Sequence, residues 1–126
     1  MSKNYHKLKL NYKIWIETDL HVSILGEGKW KLLTAIKETG SLKAAVESMG
    51  LSYRQTWTKL KEIEEKLGFP IIEKSRGGAE GGHTSLTPQG EKIVEFFDKV
   101  YSKFEPRVKD IFSKLVQDLN TIHKPN

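Results

Sequence analysis

Arg54, Gln55, Thr58 and Lys61 fall on one side of a helical wheel drawn at about 100° per residue. These side chains hydrogen-bond rather than react. An arginine fork can take guanine O6 and N7 together, and a glutamine amide can take adenine N6 and N7. Lysines and hydroxyls reach phosphate oxygens. Trp57, Leu60, Ile63 and Leu67 gather on the other side, with Tyr53 at its edge. Charge is also ordered along the segment. Arg54, Lys59 and Lys61 come first with no acid among them, and Glu62, Glu64 and Glu65 follow. That polarity suits a helix whose N-terminal end approaches a polyanion. The bland alternative is an amphipathic helix whose three glutamates form a solvated face.

The elements that hold this row in place are marked by start and stop signals. Ser52 and Gln55 have the S-x-x-Q spacing of a capping box. Upstream, Ser41 is placed to cap a helix carrying Leu42, Ala45, Val46 and Met49 at helical spacing, and Gly50 ends it. Ala44 and Ala45 are small enough for a second helix to cross closely, and Leu51 packs into the corner. Residues 40–67 therefore predict two helices joined by a tight turn. This is the layout of a helix-turn-helix, which places its second helix in the DNA major groove. The candidate DNA-contacting residues in it are Ser41, Ser52, Tyr53, Arg54, Gln55, Thr58, Lys59 and Lys61.

A preceding helix over residues 27–39, with Trp30, Leu32, Leu33 and Ile36 inward, completes a three-helix core over 27–67. After Gly68, a β-like run at 69–72 leads into Lys74-Ser75-Arg76, then a glycine-rich loop at 77–82, then Ser85-Leu86. Two short strands around a loop over 69–87 form a wing, from which Lys74 and Arg76 could reach phosphates or the minor groove. The loop is a poor nucleotide-phosphate cradle, because no Gly-Lys-Ser/Thr follows it. The bland reading is a hairpin loop with no partner.

Thr87-Pro88 opens a further helix, Thr as cap and Pro at the first position. Ile93, Phe96, Phe97, Val100, Tyr101 and Phe104 give it a wide aromatic stripe, and Pro106 predicts an end or a kink near Phe104. An amphipathic stretch continues through Val108, Ile111, Phe112, Leu115, Val116 and Leu119, so that 88–120 is a helical segment. So much apolar surface points to pairing of two subunits, against the simpler reading of packing within one domain. At the N-terminus, residues 8–16 alternate, with Leu8, Leu10, Tyr12, Ile14 and Ile16 on one face. This predicts a half-buried strand, with 21–25 returning as its partner in a hairpin over 7–25. Trp15 falls on the polar face.

The chain resembles the N-terminal DNA-binding domain of the ModE family, the molybdate-responsive bacterial transcription regulators. The LysR-type winged helix is a more distant relative. The resemblance is carried by Thr39-Gly40-Ser41, Ala44-Ala45, Ser52-Tyr53-Arg54 with Trp57, the Gly77-Gly78 and Gly81-Gly82 pairs, and Leu86-Thr87 with Gly90. It covers about residues 8–104. It implies a winged helix whose helix from Ser52 reads the major groove, and a homodimer paired through the long terminal helix. Ser52, Tyr53 and Arg54 match the start of the reading helix, and residues 76–82 match the wing. Two departures stand out. The family's regulators carry C-terminal molybdate-binding domains, and the tail before Asn126 is too short for one, so molybdate sensing is not expected of it. Glu80 stands where relatives often carry a basic residue, which weakens the expected wing–phosphate contact.

Composition agrees without deciding. The 126 residues make one domain, 1–126, of mainly α class with small β elements, and the net charge is +5. The excess is thin: residues 1–67 carry 12 Lys and Arg against 8 Asp and Glu. The absence of cysteine excludes disulfide and thiol chemistry. No run approaches a membrane span and no signal-peptide core is present, which predicts a cytoplasmic protein. His6, His21, His83 and His123 are isolated, with no metal-ligand spacing. His83 reads as a wing residue and His21 as a turn or interface residue. Ser41 and Ser52 read as caps rather than nucleophiles. No enzyme, cofactor or metal is expected, and no small-molecule effector is identified. The expected function is a sequence-specific, homodimeric regulator of transcription on double-stranded DNA. The alternative is a winged-helix module that binds a protein through residues 91–104 or the hairpin.

Overall fold

Ser41 and Ser52 each cap the helix that follows. The Ser41 hydroxyl accepts from the Ala44 N–H at 3.0 Å, opening α2 (Leu42–Met49). The Ser52 hydroxyl accepts from the Gln55 N–H at 3.3 Å, opening α3 (Tyr53–Leu67). Each satisfies a backbone donor that a helix start leaves unpaired. The computed structural model describes residues 7–75 and 83–123. The wing loop from Arg76 to Gly82 and His6 lie outside the described residues, as does the side chain of His123.

The elements run β1 (Trp15–Glu17), β2 (Ser23–Gly26), α1 (Glu27–Thr39), α2, α3, β3 (Ile72–Ser75), β4 (His83–Leu86) and α4 (Pro88–Lys99). A π-wound turn, Val100–Phe104, and α5 (Glu105–His123) follow. Two antiparallel pairs, β1 with β2 and β3 with β4, are the sheets. This is a winged helix-turn-helix with an N-terminal β-hairpin and a long C-terminal helix.

The described chain falls into two units. In the first, residues 13–97, Leu32, Leu33 and Ile36 of α1 meet Leu42, Ala45 and Val46 of α2 and Leu60 and Ile63 of α3. Ile71, Ile72, Leu86, Val94 and Phe97 complete the core. Each buried Leu, Ile or Phe stabilises by about 1.5–3 kcal/mol relative to exposure. Trp30 stacks on Phe97 with ring centroids 6.2 Å apart.

Two glycines let the wing close onto the helices. Gly40 ends α1 at φ 73°, where a Cβ is strained, and a Cβ there would also stand 2.6 Å from the His83 ring. Its carbonyl accepts from the Thr84 N–H at 2.9 Å, fixing β4 to the end of α1. At Gly90 a Cβ would overlap the Ile71 carbonyl oxygen. The buried Thr87 hydroxyl caps α4 by accepting from Gly90 N–H at 3.1 Å, and donates to the Pro70 carbonyl at 2.9 Å.

Three local expectations are corrected. The strand expected over 8–16 is confined to Trp15–Glu17. Its partner pairs Trp15 with Gly26 and then turns into α1, so residues 8–14 have no neighbour strand to bond. The wing strand starts at Ile72 rather than at Phe69, because Pro70 has no N–H for a ladder and the Ile71 N–H is taken by a carboxylate, described below. Pro106 does not end the helix. It has no N–H for the Ser102 carbonyl, the turn before it is wound wider, and α5 continues to His123.

In the second unit, which takes in the chain up to Tyr12 and from Asp98, the Tyr12 hydroxyl donates to Glu105 at 2.8 Å. No described side chain of α5 is buried: Val108, Phe112, Val116 and Leu119 are half-buried, and Ile111 and Leu115 are exposed.

Candidate nucleic-acid interface

α3 presents its row as expected from the wheel. Thr56, Leu60 and Ile63 are buried, and Arg54, Gln55, Thr58 and Lys61 are exposed. Lys59 is exposed too, but stands to one side of that row, toward the N-terminal hairpin. Tyr53 lies on the other side, toward the wing. The hydroxyls of Ser41 and Ser52 are already engaged as caps, so these two serines fix helix starts.

Trp57, on the apolar side of the wheel with Leu60, Ile63 and Leu67, is only half-buried and forms the link between α3 and the wing. The Lys61 and Lys74 ammonium groups each stand 4.3 Å from its ring centroid. Lys74 also hydrogen-bonds the Tyr53 hydroxyl and lies 5.2 Å from that ring. Tyr53, Trp57 and Lys61 succeed one another at i, i+4 and share a helix face. The polar flank thus begins one step inside the stripe that hydropathy alone marks as core. Thr56 is buried with Leu60 and Ile63, four and seven residues on; that spacing puts it on the same stripe, though threonine itself adds little hydropathy signal.

Glu64 also departs from the solvated face that its spacing with Glu62 and Glu65 predicts: its side chain is 10% exposed. One oxygen accepts from the Ile71 N–H at 2.8 Å and the Ile72 N–H at 3.1 Å. The other accepts from Lys61 at 3.1 Å. Burial pushes the carboxyl up, but the two backbone donors and Lys61 outweigh it and hold it below the usual carboxylate range. The wing strand is therefore anchored to the same helix that carries the exposed row. Spacing could not show this, because Glu64 meets its donors only after the chain has turned at Gly68.

Arg76 lies outside the described residues, so of the wing cations only Lys74 is placed. Among the described residues no three His, Cys, Asp or Glu side chains are grouped to hold a metal ion. His21 sits at φ 66° in the hairpin turn, 2.9 Å from Glu17, and His83 lies over Gly40. No helix among the described residues is long and apolar enough to cross a membrane.

Residues 28–91, just over half of the chain, match the family described as bacterial regulatory helix-turn-helix protein, lysR family. The chain belongs to that family. It is also similar to the molybdenum-pterin-binding protein MopB of Rhodobacter capsulatus, 34% identical over 76% of this chain and 34% of MopB. The molybdenum transport protein ModE of Azotobacter vinelandii is 28% identical over 85% of this chain and 38% of that protein. The DNA-binding transcriptional dual regulator ModE of Escherichia coli K12 is 26% identical over 65% of this chain and 31% of that protein. The chain thus spans about a third of the length of these curated relatives, as a ModE-like DNA-binding domain would. The lysR-family match takes in α1 to α3, both wing strands and the start of α4, the elements that position the exposed row.

Proposed function

We propose that this lysR-family chain is a sequence-specific regulator of transcription that binds double-stranded DNA as a homodimer, with α3 in the major groove. The observation that carries the reading is the exposed row Arg54, Gln55, Thr58 and Lys61 on a helix capped at Ser52 and fixed from behind by Leu60 and Ile63. Arg54 and Gln55 lie in the first turn, where a helix entering by its N-terminal end meets base edges. Lys74, held against Tyr53 and Trp57, approaches a backbone strand from the wing side. The family description and the name of the Escherichia coli relative support the same role.

The homodimer is supported by α5. Its stripe of Val108, Ile111, Phe112, Leu115, Val116 and Leu119 is half-buried at most. A second copy of the same helix would cover it and would present α3 twice to a two-fold site.

Selection of bound duplexes from a random pool tests the reading. Enrichment of one base sequence, with affinity falling steeply as salt rises, is the expected result. Recovery of duplexes without a shared sequence would overturn it.

A further inference from the structure

Lys59 lines a groove of about 580 Å³ on the flank of α3 away from the wing. The hairpin supplies Lys13 to this groove, the first turn of α1 supplies Lys29, and α3 also supplies Lys66. Leu25 and Ile63, both buried, belong to its wall. Two acids, Glu27 and Glu62, are set against these four lysines, and Glu27 faces Lys31 at 3.7 Å. Among the described residues none of the four lysines has a carboxylate within 4.0 Å; Lys66 reaches only the Ser23 carbonyl, at 3.4 Å. Partial burial and the neighbouring Lys59 charge both push the Lys29 ammonium below its ordinary range. No side chain caps α1 at Gly26.

The groove therefore carries a net positive charge, and its position decides what it would meet. A helix lying in the major groove has a phosphate strand along each flank. Lys74 serves the wing flank; the groove occupies the other. We propose that this groove seats a phosphate of the DNA backbone, with Lys13, Lys29 and Lys59 around it. The N-terminal hairpin becomes a second clamp, opposite the wing. The inference rests on α3 lying in the major groove.

The test is the salt dependence of binding to the duplex enriched by the wild-type protein. In the Lys13→Gln/Lys29→Gln variant the slope of log affinity against log salt falls by about 1–2, since each lost phosphate contact removes about 0.9. The enriched base sequence stays the same. A Lys92→Gln/Lys114→Gln control, with the same loss of net charge at exposed residues of α4 and α5, keeps the wild-type slope. An equal slope in wild type and Lys13→Gln/Lys29→Gln, with base preference intact, would overturn the clamp and leave the major-groove reading standing. A wild-type protein with no base preference would overturn both. Inorganic pyrophosphate is the third arm. Saturable shifts of the Gly28 and Lys29 amide resonances, with an unchanged DNA slope, would assign the groove to a free phosphorylated molecule and overturn the backbone assignment.

Discussion

Three donors converge on the Glu64 carboxylate, and two of them are backbone groups at the start of the wing strand. Replacing it by an amide leaves one oxygen acceptor where two worked. Loss of bonds to buried donors costs about 1–3 kcal/mol, so Glu64→Gln destabilises by about that much at neutral pH. The folded carboxyl is held below its ordinary value, so its stabilisation is present above about 4.5 and fades as pH falls through the carboxylate range. Denaturant unfolding at stepped pH values should show the gap between wild type and variant shrinking below that value. A gap independent of pH would contradict the ionised clamp. Trp57 is the other residue whose role lies in what it holds. Trp57→Leu keeps apolar bulk but removes the face against which Lys61 and Lys74 stand. The expected result is a several-fold loss of DNA affinity with a melting temperature close to wild type. Equal affinity would show that Lys74 needs no platform.

At the scale of elements, the caps at Ser41, Ser52 and Thr87 were legible because they depend on bonds three residues away. The helices between them were legible for the same reason: Leu42, Ala45 and Val46 recur at one period and are buried together. Strand extent was not legible. Alternation from Leu8 to Ile16 marks a willingness to be extended, but a strand needs a partner, and β2 offers only four residues before α1 begins. The wing's attachment was also hidden. Glu64, Ile71 and Gly90 are brought together by the turn at Gly68 and by the docking of α4, and neither contact has a sequence period. Gly90→Ala tests that docking. The added methyl overlaps the Ile71 carbonyl, so the start of α4 must shift away from β3. A loss of about 1–3 kcal/mol in unfolding free energy is expected, as for other overpacked sites. Unchanged stability would mean that the approach of α4 to Ile71 is looser than the structure shows.

At the scale of the molecule, the net charge of +5 says little by itself. Its placement says more: lysines flank α3 on both sides, Lys74 from the wing and Lys59 with Lys66 from the groove. The α5 stripe sets the expected assembly. Ile111→Glu/Leu115→Glu places two charges in its exposed centre, so sedimentation equilibrium should report a dimer for wild type and a monomer for the variant. A wild-type monomer at micromolar concentration would contradict the dimer. Base reading and two-fold symmetry meet in one measurement, duplex selection run side by side on wild type and Arg54→Ala. Wild type is expected to select a palindromic motif. In the variant, preference is relaxed by about 1–3 kcal/mol at one pair of symmetry-related positions and kept elsewhere. The same motif with the same discrimination from both proteins would contradict the placing of Arg54 on a base edge, and with it the orientation of α3.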